Sequence, residues 1–422
     1  MRAVLRSVSM MVLGSGTQLL ANALAGLLST AWLPVSERGL MILILSAAAI
    51  VALLSGAGMG NVLRARLPLV EDEDEGAERL VVAFTRAGAL LVALSAVLAV
   101  LVSYGLAGVD ARMATPGVAA AMAVATAAQV SVTLLVDARF ARARFAQGAR
   151  WAAAAALTGL VTMSAAAGVA MAAGAESSAV LLTTCQFGGV AAVAVLSAVA
   201  AFRNGTLRTR RTEHGEHAEH GDIARLLGAG IATMALPLAL VLITRGDRLV
   251  LGAHGSLAAV AVYGLAATYC EMLRIVPTAV GQLAVPRIAA GGGLRAVARL
   301  AGLSLLLTVS AATVLYVAVA FLTVPLFGPA YADAVALTLL LIPGEIMYAL
   351  VVLANLTLIG GQWSRAATIA GVVSLPVAFV LFTGAASAGG GAGLAVARGV
   401  VFLLMAAGLS VIVSWCLRRR RA

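Results

Sequence analysis

Apolar residues fall along the chain in long runs, interrupted by short polar stretches in which arginine recurs. A helix needs about 20 apolar residues to cross the hydrocarbon core of a bilayer. On that rule about twelve spans are predicted. Six lie near residues 8–32, 39–63, 80–106, 117–136, 151–173 and 179–202. Six more lie near 225–251, 257–285, 300–327, 335–359, 366–383 and 393–417. The longest polar stretch, 203–222, separates the two sets. The expected fold is all-α: a polytopic membrane protein with an N-terminal lobe (1–202), an inter-lobe loop (203–222) and a C-terminal lobe (223–422). An even number of spans per lobe puts both lobes in one orientation, as parallel repeats about an axis along the membrane normal. A weak internal echo supports this: span two closes on Arg64-Ala-Arg-Leu-Pro68, and span eight on Val285-Pro-Arg287.

Composition agrees and adds an orientation. Hydrophobic residues make up 62% of the chain and charged residues 11%, against about 25% charged in a soluble domain. No polar segment is long enough to fold separately. The net charge is +11, and every cation other than histidine is arginine. Most arginines fall on one side of the expected layout: Arg2, Arg6, Arg64, Arg66, Arg79, the four in 137–150, Arg203, Arg208, Arg210, Arg211, Arg287, Arg295, Arg299, Arg365 and 418–421. Only Arg38 and Arg112 fall on the other. Arginine accumulates on the cytoplasmic side, so both termini are expected there. The first span is too long for the h-region of a signal peptide and reads as retained. Basic residues scattered over short loops do not suit nucleic acid; anionic lipid is the expected partner surface. Residues 137–150, with Arg139, Arg142, Arg144 and Arg150 among Phe140 and Phe145, suit either an interfacial helix or a loop with aromatic anchors.

Several candidate chemistries recede. Cys185, Cys270 and Cys416 sit in apolar runs, which disfavours disulfides or a metal site. His214, His217 and His220 alternate with glutamates and read as a solvated loop rather than a metal site. The glycines at 291–293 and 389–391 have no Lys-Ser/Thr after them and are not phosphate loops. No cofactor is expected. No ATP-binding motif occurs, so a coupled pump would need a partner or an ion gradient.

The ionisable residues inside spans remain. They are Asp247, Glu271 and Glu345, with Arg86, Arg245, Arg248, Arg274 and Arg398. Each costs roughly 2.5–3.5 kcal/mol on insertion and marks an interior or a watery path. Arg86 and Arg398 sit close enough to span ends to snorkel. Glu271 and Arg274 are three apart and are expected to pair. Two readings stay open: helices neutralising one another, or a cationic cavity in which Arg245, Arg248 and Arg274 hold phosphate while Asp247, Glu271 and Glu345 serve as counter-ions or proton carriers. Gln18 and Asn22, four apart on span one, and Asn355 on span ten either bind sugar or join helices. Pro237, Pro277, Pro343 and Pro376 fall inside spans; Pro343-Gly344-Glu345 is the expected hinge.

A diffuse set of short motifs now carries a family resemblance. Span seven ends in Asp247-Arg-Leu-Val-Leu-Gly252. Val262-Tyr263-Gly-Leu-Ala266 follows, then Pro277 and Pro286-Arg-Ile-Ala289. Gly39, glycines between 56 and 60, Arg66, Gly361 and Arg365, and the glycines at 391–393 complete the pattern. It resembles the polysaccharide transporters, or Wzx-type flippases, of the multidrug/oligosaccharidyl-lipid/polysaccharide (MOP) exporter superfamily. The resemblance implies two six-helix lobes in the parallel arrangement also seen in MATE exporters. It implies a transporter, not an enzyme. The expected activity is flipping a polyprenyl-pyrophosphate oligosaccharide across a bacterial inner membrane by alternating access, for exopolysaccharide or lipopolysaccharide export. Polysaccharide assembly enzymes would be neighbours in that process. A cation-coupled drug exporter of the same superfamily is the alternative. A glycan polymerase or ligase is disfavoured by the short outer loops.

Overall fold

In a computed structural model of the chain, the described residues are 2–419 except 57, 71–73, 143, 205–215, 290–292 and 362. They form helices throughout, and no strand occurs among them. In order these are α1 (Arg2–Trp32), α2 (Val35–Gly56), α3 (Met59–Val70), α4 (Asp74–Gly105), α5 (Pro116–Ala141), α6 (Phe145–Ala172) and α7 (Ala179–Arg203). Then follow α8 (Glu216–His254), α9 (Leu257–Met272), α10 (Ile275–Ala289), α11 (Leu294–Phe327), α12 (Asp333–Gly360) and α13 (Ser364–Arg419). Gly390, at φ 53° and ψ −133°, breaks α13 into two arms.

Among the described residues nine segments are long and apolar enough to cross a membrane, one of them the two-armed 365–419. With α1 and α8 the chain has about twelve membrane helices. It is an all-α, multi-pass membrane protein. α4 and α11 carry Leu90, Leu101, Val314 and Phe321 more than 60% exposed, an exposure that is costly in water and is removed by lipid. Helix starts are locally encoded. Ser178 and Ser256 accept hydrogen bonds at 3.2 Å from the amides of Leu181 and Ala259, and Pro116 opens α5.

Two expected spans are broken. Span two divides at Gly58, whose φ of 63° no helix accommodates, so α2 and α3 are separate helices. Span eight divides at Leu273–Arg274, giving α9 and α10, with Pro277 in the first turn of α10, where its missing N–H costs nothing. Other expected features also shift. Residues 137–150 are not a loop or a separate interfacial helix: α5 runs on to Ala141 and α6 starts at Phe145. Arg38, expected among the outer-side loops, belongs to the first turns of α2 and is buried. Helix α12 passes through Pro343 without interruption. His214 and the arginines 208, 210 and 211 lie outside the described residues, as do 291 and 292; His217 and His220 fall in the first turns of α8.

The chain divides into two compact units, residues 1–22 with 44–234, and residues 23–43 with 235–422. The first unit packs Met59, Leu63, Leu67, Phe84, Val130, Leu134 and Leu226 into one apolar core. In the second, Gly39 and Gly264 bring α2 and α9 to backbone distance. A Cβ at Gly39 would lie 2.0 Å from the Leu257 carbonyl, and one at Gly264 would lie 2.3 Å from Ile42. That close approach carries Arg38 against α9.

Candidate functional site

The second unit gathers most of its intramembrane charges into one network. Its centre is Arg398, on the second arm of α13 and 1% exposed. Its Nη1 donates to Asp247 Oδ2 at 3.0 Å, and its Nη2 donates to Glu345 Oε1. Both carboxylates are fully buried. Backbone packing makes this possible. Gly344 and Gly399, each adjacent to one partner, let α12 and α13 meet so closely that a Cβ at Gly344 would lie 3.1 Å from the Cα of Gly399. Arg398 therefore does not snorkel, as its place in the sequence suggests; it bridges α8, α12 and α13.

Tyr263 of α9 completes Asp247 by donating its hydroxyl to Oδ2 at 2.7 Å. Arg274 grips Glu345 with two parallel bonds, Nε to Oε2 and Nη2 to Oε1, both 2.8 Å. The Arg274 guanidinium also lies 4.6 Å from the centre of the Tyr348 ring, and Tyr348 meets Phe402 edge-on at 5.2 Å. The expected Glu271–Arg274 pair is not made. Leu273 keeps helical dihedrals and the Arg274 amide donates to the Glu271 carbonyl at 3.2 Å, but the Arg274 side chain is taken by Glu345 on α12. Glu271 instead accepts from Arg245 Nη2 at 3.2 Å and from Arg248 Nη2.

Arg245, Arg248, Arg274, Asp247, Glu271 and Glu345 are thus brought together, joined by Arg398, expected to snorkel, by Tyr263, known from the sequence only as part of a motif, and by Tyr348, which no sequence pattern marks. Arg38, expected on the outer side, is a further intramembrane cation of this unit. It is 2% exposed, and its Nε donates to Thr30 Oγ1 at 3.0 Å. Asn355 is half-buried on α12 and absent from the network's hydrogen bonds. Gln18 is half-buried and Asn22 exposed, both on the part of α1 in the first unit.

The first unit holds a smaller charged arrangement. Arg64 of α3 pairs with Asp137 of α5 and lies 4.7 Å from the Phe140 ring. Only glycine fits at position 60, where a Cβ would overlap the Asp137 carboxylate. Arg139 is fully buried. Its guanidinium donates to the carbonyls of Leu135 at 2.8 Å and Ser197 at 2.7 Å, tying α5 to α7.

No protein-family model matches the chain, and no curated protein matches it in sequence. Solved structures do match in three dimensions. The lipid II flippase MurJ, in an inward closed conformation, has a TM-score of 0.70 at 11% identity, over 96% of this chain and 87% of the flippase. An inward-facing multidrug resistance MATE family transporter of the MOP superfamily has a TM-score of 0.61 at 14% identity, over 96% of this chain and 94% of that one. The eukaryotic MATE transporter AtDTX14 has a TM-score of 0.57 at 13% identity, over 98% and 96% of the two chains. At these identities the likeness is one of fold: the chain shares the architecture of these transporters.

Proposed function

We propose that this protein is a membrane transporter that flips a lipid-linked oligosaccharide, carried on a polyprenyl pyrophosphate, across a bacterial inner membrane. The observation that carries the reading is the network of the second unit: Arg245, Arg248, Arg274 and Arg398 stand against three acids in an otherwise apolar bundle. An excess of fixed guanidinium charge suits a polyanionic headgroup that hydrocarbon would reject, because planar guanidinium forks bind phosphate oxygens in pairs. The fold, shared with a lipid II flippase, is suited to the task. In this reading residues 1–202 and 223–422 are the two repeats, joined by 203–222, and they work by alternating access. Both termini face the cytoplasm, where anionic lipids and the polysaccharide assembly enzymes are found. Gln18, Asn22 and Asn355 are candidate contacts for the glycan.

Multidrug export is the second reading, favoured by the fold shared with MATE transporters. It needs an acid open to a cationic drug, yet Asp247, Glu271 and Glu345 each already accept from arginine. The deciding experiment is reconstitution in vesicles with a fluorescent polyprenyl-pyrophosphate oligosaccharide, in parallel with a cationic dye. Protein-dependent flipping of the glycolipid supports the proposal. Dye transport without glycolipid flipping would replace it.

A further inference from the structure

The first unit buries an arginine that no acid meets. Arg139 is fully buried and lies two residues before the end of the apolar span Pro116–Ala141. Asp137, its neighbour on α5, is paired with Arg64. Arg139 instead donates to the carbonyls of Leu135 at 2.8 Å and Ser197 at 2.7 Å. Both carbonyls lie inside helices, where each also accepts a helix amide. The guanidinium therefore shares acceptors and meets no opposite charge among the described residues. Its Nε and the Ser197 hydroxyl, side by side at this contact, are buried without a partner. A buried charge is ordinarily paired and a buried donor filled.

The surroundings suit a lipid headgroup better than a soluble anion. Trp151, in the first turns of α6, lies over the guanidinium at 5.4 Å and is itself half-buried. Arg139 thus sits one side chain below the surface, under the residue type that collects at headgroup level. Arg144 is close by. Its amide donates to the Arg139 carbonyl at 2.8 Å, and its guanidinium lies 3.5 Å from the Asn204 carbonyl at the end of α7. Arg139, Trp151 and Ser197 stand at the mouth of the seam between α6 and α7. Two turns further along that seam the helices meet closely: a Cβ at Gly159 would lie 2.9 Å from Val190, and one at Gly189 would lie 2.5 Å from Thr162. The same stretch of the two helices exposes Leu157, Val161, Leu196 and Val199. The unmatched cation therefore opens onto an apolar track that runs into the bilayer.

We infer that Arg139, with Arg144, Ser197 and Trp151, forms a site for one anionic phospholipid, its phosphodiester at the arginines and its acyl chains along the α6–α7 seam. One unmatched guanidinium suits the single negative charge of such a phosphodiester. The phosphate oxygens are acceptors for Arg139 Nε and the Ser197 hydroxyl once Trp151 turns aside. A soluble phosphate would fill the donors but leave the apolar track unused. The lipid is a resident of the first unit and not cargo, so the inference stands apart from the transport reading.

The test uses the full chain in detergent micelles, with Trp32, Trp363 and Trp415 replaced by phenylalanine so that Trp151 alone fluoresces. Phosphatidylglycerol with acyl chains brominated near the carbonyl is the probe, and phosphatidylcholine brominated in the same way is the control without net charge. Bromine quenches an indole that it approaches. Phosphatidylglycerol should quench Trp151 at a lower mole fraction than phosphatidylcholine. Arg139→Gln should remove about fivefold of that preference, the effect of one arginine at an anionic headgroup, and Arg139→Lys should recover part of it. Arg144→Gln should remove a similar factor and keeps the inference testable if Arg139→Gln fails to fold. Equal quenching by the two lipids overturns the site, because an arginine that only ties α5 to α7 does not distinguish them. A preference unchanged in folded Arg139→Gln, or unchanged in Arg144→Gln where the first variant does not fold, overturns it as well. Displacement of the bound probe by excess inorganic phosphate would assign the guanidinium to a soluble anion and also overturn it.

Discussion

Arg398 shows how much one side chain can hold in a membrane protein. It is the shared cation of two fully buried carboxylates on different helices. Removing it leaves two charges in a medium of low dielectric, so Arg398→Leu should destabilise the folded protein by about 3–5 kcal/mol. Arg398→Lys should rescue little, because a single ammonium cannot reach two acids as the two ends of a guanidinium do. Adding Asp247→Asn to Arg398→Leu should recover part of the loss, since the amide oxygen still accepts from Tyr263. Thermal unfolding in detergent checks all three. Equal stability of Arg398→Leu and the parent would mean the bridge is not made in the native protein.

The same residue marks the limit of what the sequence discloses. That Asp247, Glu271, Glu345 and the arginines belong to one site follows from their cost in apolar runs. Which acid meets which arginine does not. Local spacing points to Glu271 with Arg274, but the bonds join residues 71 and 151 positions apart. Those matches are set by the contact of Gly344 with Gly399, which no hydrophobic pattern records. Arg38 was hidden for a related reason. Its place near a helix end reads as an outer-surface charge, and only its bond to Thr30 and the packing around Gly26 show it turned inward.

At the scale of elements, span number and approximate length were legible because a bilayer imposes a minimum apolar run. The breaks in spans two and eight were not, because Gly58 leaves the apolar run intact and Arg274 reads as one charge inside a span that continues beyond it. At Gly58 the cause is conformational and steric together: φ is 63°, and a Cβ would lie 2.2 Å from the Gly230 carbonyl. Gly174 provides the control. It ends α6 with φ 66° and open space around it, the Ala175 amide bonding back to the Ala170 carbonyl at 2.9 Å. Gly174→Ala should cost about 1–2 kcal/mol, the left-handed penalty alone. Gly58→Ala should cost more than that, since the added methyl also displaces α8 backbone. Unfolding of the two variants side by side checks the order; equal losses would mean that the α3–α8 contact yields freely.

For the whole molecule the arginine distribution becomes more lopsided once the structure is known. Of the two arginines assigned to the outer side, Arg38 is buried in the protein. Arg112 remains and lies 3.4 Å from the Asp110 carboxylate, which offsets its charge. Orientation follows the arginine excess, because short segments rich in cations resist translocation. The turn after α6 should therefore face outward, and the polar stretch between α7 and α8 should face the cytoplasm. In a background with Cys185, Cys270 and Cys416 replaced by alanine, Ala175→Cys should react with a membrane-impermeant maleimide in intact cells. Gly215→Cys should react only after permeabilisation. The reverse pattern would invert the protein in the membrane, put the arginine-rich loops outside, and require that something other than their charge set the topology.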